Sequence, residues 1–170
     1  MYTIALVKDL FNHMQWADAM VWSALLDTNG AENDEYISKT LFHIHFTHYA
    51  YLCLLRSESV PYPDRKKFKS LANLTEWARD HYAESLSLLK GLSDEDLEEI
   101  ILIPWSKMFE NEIGSVAGAT SRGEIFYQIT SHSQYHRGQI NRRIRELGNK
   151  PPLVDYVGWK WKHSPVADWR

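Results

Sequence analysis

Apolar residues recur at steps of three and four along most of the chain, and four long stretches carry this helical rhythm with few strand signals between them. The first runs from about Thr3 to Leu26, where Ile4, Val7, Phe11, Met14, Val21 and Leu25 form one seam and Asp18 takes its only position that is not apolar. Asn29-Gly30 closes it, since both residue types accept left-handed backbone. The second stretch spans about Glu35 to Ser57, before Pro61 and Pro63 forbid continuation. Ser70 is the expected N-cap of the third, which reaches Lys90 and stops at Gly91. In the fourth, Ser121 and Glu124 make a capping-box pattern, and Gly148 followed by Pro151-Pro152 ends the helix.

Between the third and fourth helices, Ser93 to Ala119 lacks a clear period and reads as an irregular crossover with one short element at most. After the fourth helix comes a tail with Trp159, Trp161 and Trp169, expected to fold back over the helices. The pattern therefore predicts an all-α protein: a four-helix bundle with a long crossover between the third and fourth helices and a packed C-terminal tail. At 170 residues, one domain over 1–170 is expected.

Composition narrows the function classes. The chain is 44% hydrophobic and 24% charged, with a formal net charge of -3, so it lacks the concentrated basic surface that nucleic acid requires. Arg137, Arg142, Arg143 and Arg145 cluster late, but helical spacing spreads them around the axis. Cys53, the single cysteine, excludes an internal disulfide and sits in the apolar run from Tyr49 to Leu55, where a small core residue is expected. No signal peptide is evident, since Met1–Leu10 contains Lys8 and Asp9. No window reaches the roughly 18 apolar residues of a membrane span. The expected location is the cytoplasm, with no nucleic acid and no membrane as partner.

Histidine carries the candidate chemistry. On the fourth helix Ile125, Ile129, His132, His136, Ile140, Ile144 and Leu147 fall on one face that is otherwise apolar, so both imidazoles are expected to point into the bundle. Four residues apart, their Cβ atoms lie about 5–6 Å from each other, within reach of one ion. Buried imidazoles left unpaired would cost about 1–3 kcal/mol each, and a divalent cation removes that cost; the bland alternative is a pair of core histidines bonded to backbone or water. A third donor should come from a facing helix, and the second helix offers His43, His45 and His48 within six residues. Periodicity favours His48, which continues the seam Ile37, Leu41, Ile44, with His45 near the edge and His43 turned away. His13, His81 and His163 read as surface or half-buried, and Glu84 and Glu124 are further carboxylate candidates.

The chain resembles the DinB/YfiT-like superfamily of metal-binding four-helix bundles along nearly its whole length. Asn12-His13-Met14-Gln15-Trp16-Ala17-Asp18 is similar to the family's Tyr-Asn-x-x-Trp-Ala-Asn, with His13 standing where Asn is usual. Thr40-Leu41-Phe42-His43-Ile44 resembles the segment with the family's first ligand. His132-Ser133-Gln134-Tyr135-His136-Arg137-Gly138-Gln139-Ile140 is the most specific match, and Pro151-Pro152-Leu153-Val154-Asp155-Tyr156-Val157 follows. The resemblance implies metal ligands at His43, His132 and His136, with His45 and then His48 in reserve.

It also implies a divalent ion, zinc, nickel or iron, and a metal-dependent thiol S-transferase or hydrolase acting on a small electrophile, with a low-molecular-weight thiol as co-substrate. Tyr135, Arg137 and Gln139 flank the pair as substrate-positioning residues or as ordinary interhelical contacts. The competing reading is a non-catalytic, stress-associated metal or small-ligand binding protein. A third, an oligomeric scaffold, draws on the tryptophans, and a homodimer is an expectation from the resemblance.

Overall fold

Each long helix begins where a short polar side chain can accept the N–H three residues on. Thr3 opens α1 (Ile4–Leu26), Asp34 opens α2 (Glu35–Leu55), Ser70 opens α3 (Leu71–Lys90), and Ser121 with Glu124 forms a reciprocal capping box. In this computed structural model, which describes residues 2–68 and 70–169, the crossover adds β1 (Ile100–Ile101), a short α4 (Glu110–Ile113) and β2 (Thr120–Ser121) before α5 (Arg122–Glu146) and α6 (Tyr156–Trp161). The protein is an all-α bundle in which α5 packs on α1 and α2, and α3 packs on the same two helices. Among the described residues no helix is long and apolar enough to cross a membrane.

Two helix ends show why α2 stops at Leu55, before the predicted Ser57. Ser57 itself adopts a left-handed backbone (φ 59°), its N–H bonds to the Leu54 carbonyl, and the Glu58 N–H reaches back to Cys53. Gly148 (φ 85°) ends α5 through the same pair of bonds, to Arg145 and from Asn149 to Ile144. The crossover holds more order than its sequence suggests. Ile100 pairs with Ser121 and Ile101 with Thr120 in a two-residue antiparallel ladder, so the crossover's start is tied to the residue that caps α5.

Apolar burial occurs at two levels. Val21, Trp22, Leu25, Ile37, Leu41, Ile44, Ile140 and Ile144 fill one, while Val7, Phe11, Met14, Tyr82, Leu89, Ile125, Phe126 and Ile129 fill the other. Between them runs a polar stratum. Asp18 and Arg137, only 5% and 3% exposed, form an ion pair across α1 and α5. The Asp18 carboxylate also accepts from Ser133 and from the Tyr82 hydroxyl on α3. Burial first, and Asp18 second, push the Tyr82 hydroxyl well above its ordinary range, which keeps it a donor. Arg137 is thus an interhelical contact and not a surface group.

The other histidines need correction here too. His13 is buried and its Nε2 donates to the Val154 carbonyl at 2.9 Å, pinning the tail to α1. Trp159 is buried beside Trp16 and Ala17, and Trp169 packs against Tyr82, whereas Trp161 stays 79% exposed. His163 is exposed, as expected.

His81, expected at the surface or half-buried, is 3% exposed, ringed by Trp77, Tyr49 and His48, with neither ring nitrogen bonded among the described residues. Desolvation, then His45 and Arg56, bring its pKa down to about 3. The unfolded chain therefore takes up a proton below pH 6.5 that the folded chain refuses until about pH 3, and stability falls as pH falls through that window. Replacing His81 with Phe is expected to raise the unfolding free energy at pH 7 by about 1–3 kcal/mol, by removing two unmade hydrogen bonds. It should also flatten the loss between pH 6.5 and 4. Urea titrations of both proteins across that range check it; an equally steep loss in the variant would refute the account.

Candidate metal centre

The inward face of α5 is Ile125, Ile129, Ser133, Arg137, Ile140 and Ile144. His132 and His136 sit one position around, half-buried at the edge where α5 meets α2, and do not point into the core as the spacing suggested. Both sets of positions fit the same apolar frame, because a four-residue step from Ile129 leads to Ser133 and a three-residue step to His132. The buried pair is settled by chemistry that the pattern does not show: Asp18 satisfies Ser133 and Arg137 inside, leaving the imidazoles outside.

His43 lies on the exposed side of α2, and for that reason it meets them. Its Nε2 is 3.1 Å from the Nε2 of His132, and its ring centre is 4.8 Å from that of His132 and 4.6 Å from that of His136. One nitrogen from each of His43, His132 and His136 lies within 4.8 Å of the other two. His45 and His48, the reserve positions, are elsewhere. His45 stacks on Trp22 in the core, and the Nε2 of His48 pairs with the Ser85 hydroxyl at 2.8 Å. Glu84 is engaged by Arg56 at 3.0 Å and Glu124 caps α5, so neither carboxylate joins the cluster.

The electrostatics suit a cation and oppose a proton. Lost hydration, followed by the neighbouring rings of His136 and His43, brings the pKa of His132 down to about 4. Lost hydration and then His136 lower that of His43 as well. Both imidazoles are therefore neutral at pH 7, with lone pairs available. At His136 the Nδ1–H donates to the Gln139 side-chain oxygen at 2.9 Å, which fixes the proton on Nδ1 and frees Nε2 for the cluster. Tyr135, exposed, sets its ring against His136 at 4.9 Å.

The donor set fits a divalent ion. Two nitrogens each about 2.0–2.1 Å from a tetrahedral ion stand about 3.3 Å apart, close to the 3.1 Å between His43 and His132. Without an ion, two neutral Nε2 atoms at that distance must share one proton or repel. Sequence reasoning missed Asp18–Arg137, although the lone acid in an apolar seam was its signal.

Comparison with known proteins shows what the sequence is similar to. The uncharacterized protein YizA of Bacillus subtilis (strain 168) is 26% identical over 148 residues, which cover 84% of this chain and 84% of that one. The sequence model of the DinB family matches residues 1–167. That match runs through both helices bearing the three imidazoles and through the buried ion pair beneath them, and the chain belongs to the DinB family.

Proposed function

We propose that His43, His132 and His136 hold a divalent metal ion, zinc, nickel or iron, and that the protein is a metal-dependent transferase or hydrolase acting on a small electrophile. The observation supporting this reading is the position of the triad. Its imidazoles converge at the open edge of a helix pair, with His43 exposed, which leaves one side of the cluster facing solvent. Three-histidine sites with a free position are the catalytic type, whereas structural zinc sites are closed and rich in cysteine. When bound, such an ion would lower the pKa of a thiol or water and polarise an electrophilic centre.

The chain's own residues prepare the site. Gln139 holds His136 in the tautomer that presents Nε2, and Asp18 grips Arg137 so that α5 keeps its rotation. With a low-molecular-weight thiol as co-substrate, sulfur forms the new bond to carbon. The leaving group departs with its electron pair, and the thiol proton passes to solvent.

The test is thiol consumption with 1-chloro-2,4-dinitrobenzene by the zinc-, nickel- and iron-loaded protein, beside the metal-free protein and His136→Ala. Turnover confined to a loaded wild-type form supports the reading. Metal binding with no turnover in any form would replace it with a non-catalytic metal-binding role.

A further inference from the structure

The triad lies on the edge where α2 meets α5, and a surface cleft lies further along the same two helices. On α5, Glu124, Gln128, His132 and His136 follow at four-residue steps, and on α2 so do His43, Thr47 and Tyr51; the two stripes border the same seam. Beyond the imidazoles, toward the start of α5, is a cleft of about 420 Å³ lined by Tyr2, Tyr51, Glu124, Tyr127 and Gln128. That volume lies within the range of small-molecule sites. Gln128 is one helical turn, about 6 Å along the axis, from His132.

The crossover supplies the far wall through Ile103 and Thr120, and the ladder pairing Thr120 with Ile101 fixes it there. The aromatic rings are braced. Trp105 stands edge-on to Tyr51 with 5.4 Å between centres, and Tyr2 lies 5.9 Å from Tyr127.

Charge decides what such a cleft accepts. Its lining contains one ionisable acid, Glu124, and no lysine or arginine. The Glu124 carboxylate is held in place by the Ser121 N–H at 2.6 Å. Tyrosine faces carry a negative quadrupole, which attracts aromatic edges and cations and repels anions. The cleft near the other end of α5 differs, since Arg142 and Arg143 line it together with Glu146.

We propose that the tyrosine-lined cleft binds the aromatic body of a small molecule without negative charge, whose reacting end extends one helical turn along α5, from Gln128 to the imidazoles. Only the second half of that statement rests on the metal reading above. The cleft is built from residues outside the triad, so it binds its ligand with or without metal.

The experiment is an amide NMR titration of the full chain, metal-free and zinc-loaded, with 2-phenylethylammonium and, separately, 3-phenylpropanoate. The expected result is shifts at Tyr51, Thr120 and Gln128 with the ammonium probe, at least about tenfold tighter than with the carboxylate, in both forms. Glu124→Gln keeps the capping geometry and should erase most of that preference. Gln128→Lys, at an exposed position, should reverse it, and Tyr51→Ala should weaken both probes. If Tyr51→Ala does not fold, the two charge variants decide. Equal binding of both probes, or shifts confined to other surfaces, overturns the proposal. Zinc content of the same samples is read separately, so failure of the metal site and failure of the cleft give different results.

Discussion

Alanine at His136 is expected to lower zinc affinity by about a hundredfold or more while leaving the helical circular dichroism unchanged. The ring is half-buried at a helix edge, so its removal opens no cavity in the apolar core, yet it takes away one of three converging donors. His132→Ala and His43→Ala should behave alike. His45→Phe should retain metal, because its ring stacks on Trp22 inside the bundle. Gln139→Ala should fall between, with a loss of about 10- to 100-fold, since it frees the His136 tautomer without removing a donor. Competition against a chromophoric chelator measures all five. Wild-type affinity in His136→Ala would refute the triad as the metal site.

The second large effect belongs to the core. Asp18→Ala leaves Arg137 charged and buried without its carboxylate, and is expected to cost about 3–5 kcal/mol. For a chain of this length that corresponds to a melting temperature lower by about 10 °C. The Tyr82 and Ser133 hydroxyls lose their acceptor in the same step. The double variant Asp18→Leu with Arg137→Met should recover most of the loss, because it removes both charges together. Thermal melts of the two variants test this. A cost below about 1 kcal/mol for Asp18→Ala would mean that water reaches the guanidinium.

Much of the fold was legible because helix borders carry their own chemistry. Ser70, Ser121 with Glu124, and Gly148 stand where a helix needs a cap or a left-handed turn, and the structure places borders at each. Ser57 was not legible, since a serine in left-handed backbone looks like any other serine. Nor was the ladder at Ile100 and Ile101, because two residues have no period.

The His132–His136 spacing announced itself, but His43 came from family resemblance alone. Periodicity favours a buried histidine, and His48 is buried, as is His45, which it set near the seam's edge; the imidazoles that converge are those that the core excludes. Arg137 escaped because arginine is almost never fully buried unless paired, and its partner lies 119 positions away.

That separation has a bearing on how the chain acquires its shape during synthesis. When the first three long helices have emerged from the ribosome, the carboxylate on α1 still lacks its counter-ion, and the surfaces of α1 and α2 that α5 covers still face water. The leading half thus has no resting structure equivalent to its final one, and order arrives when the last long helix does. Folding is tied to the arrival of α5 rather than spread along the helices before it.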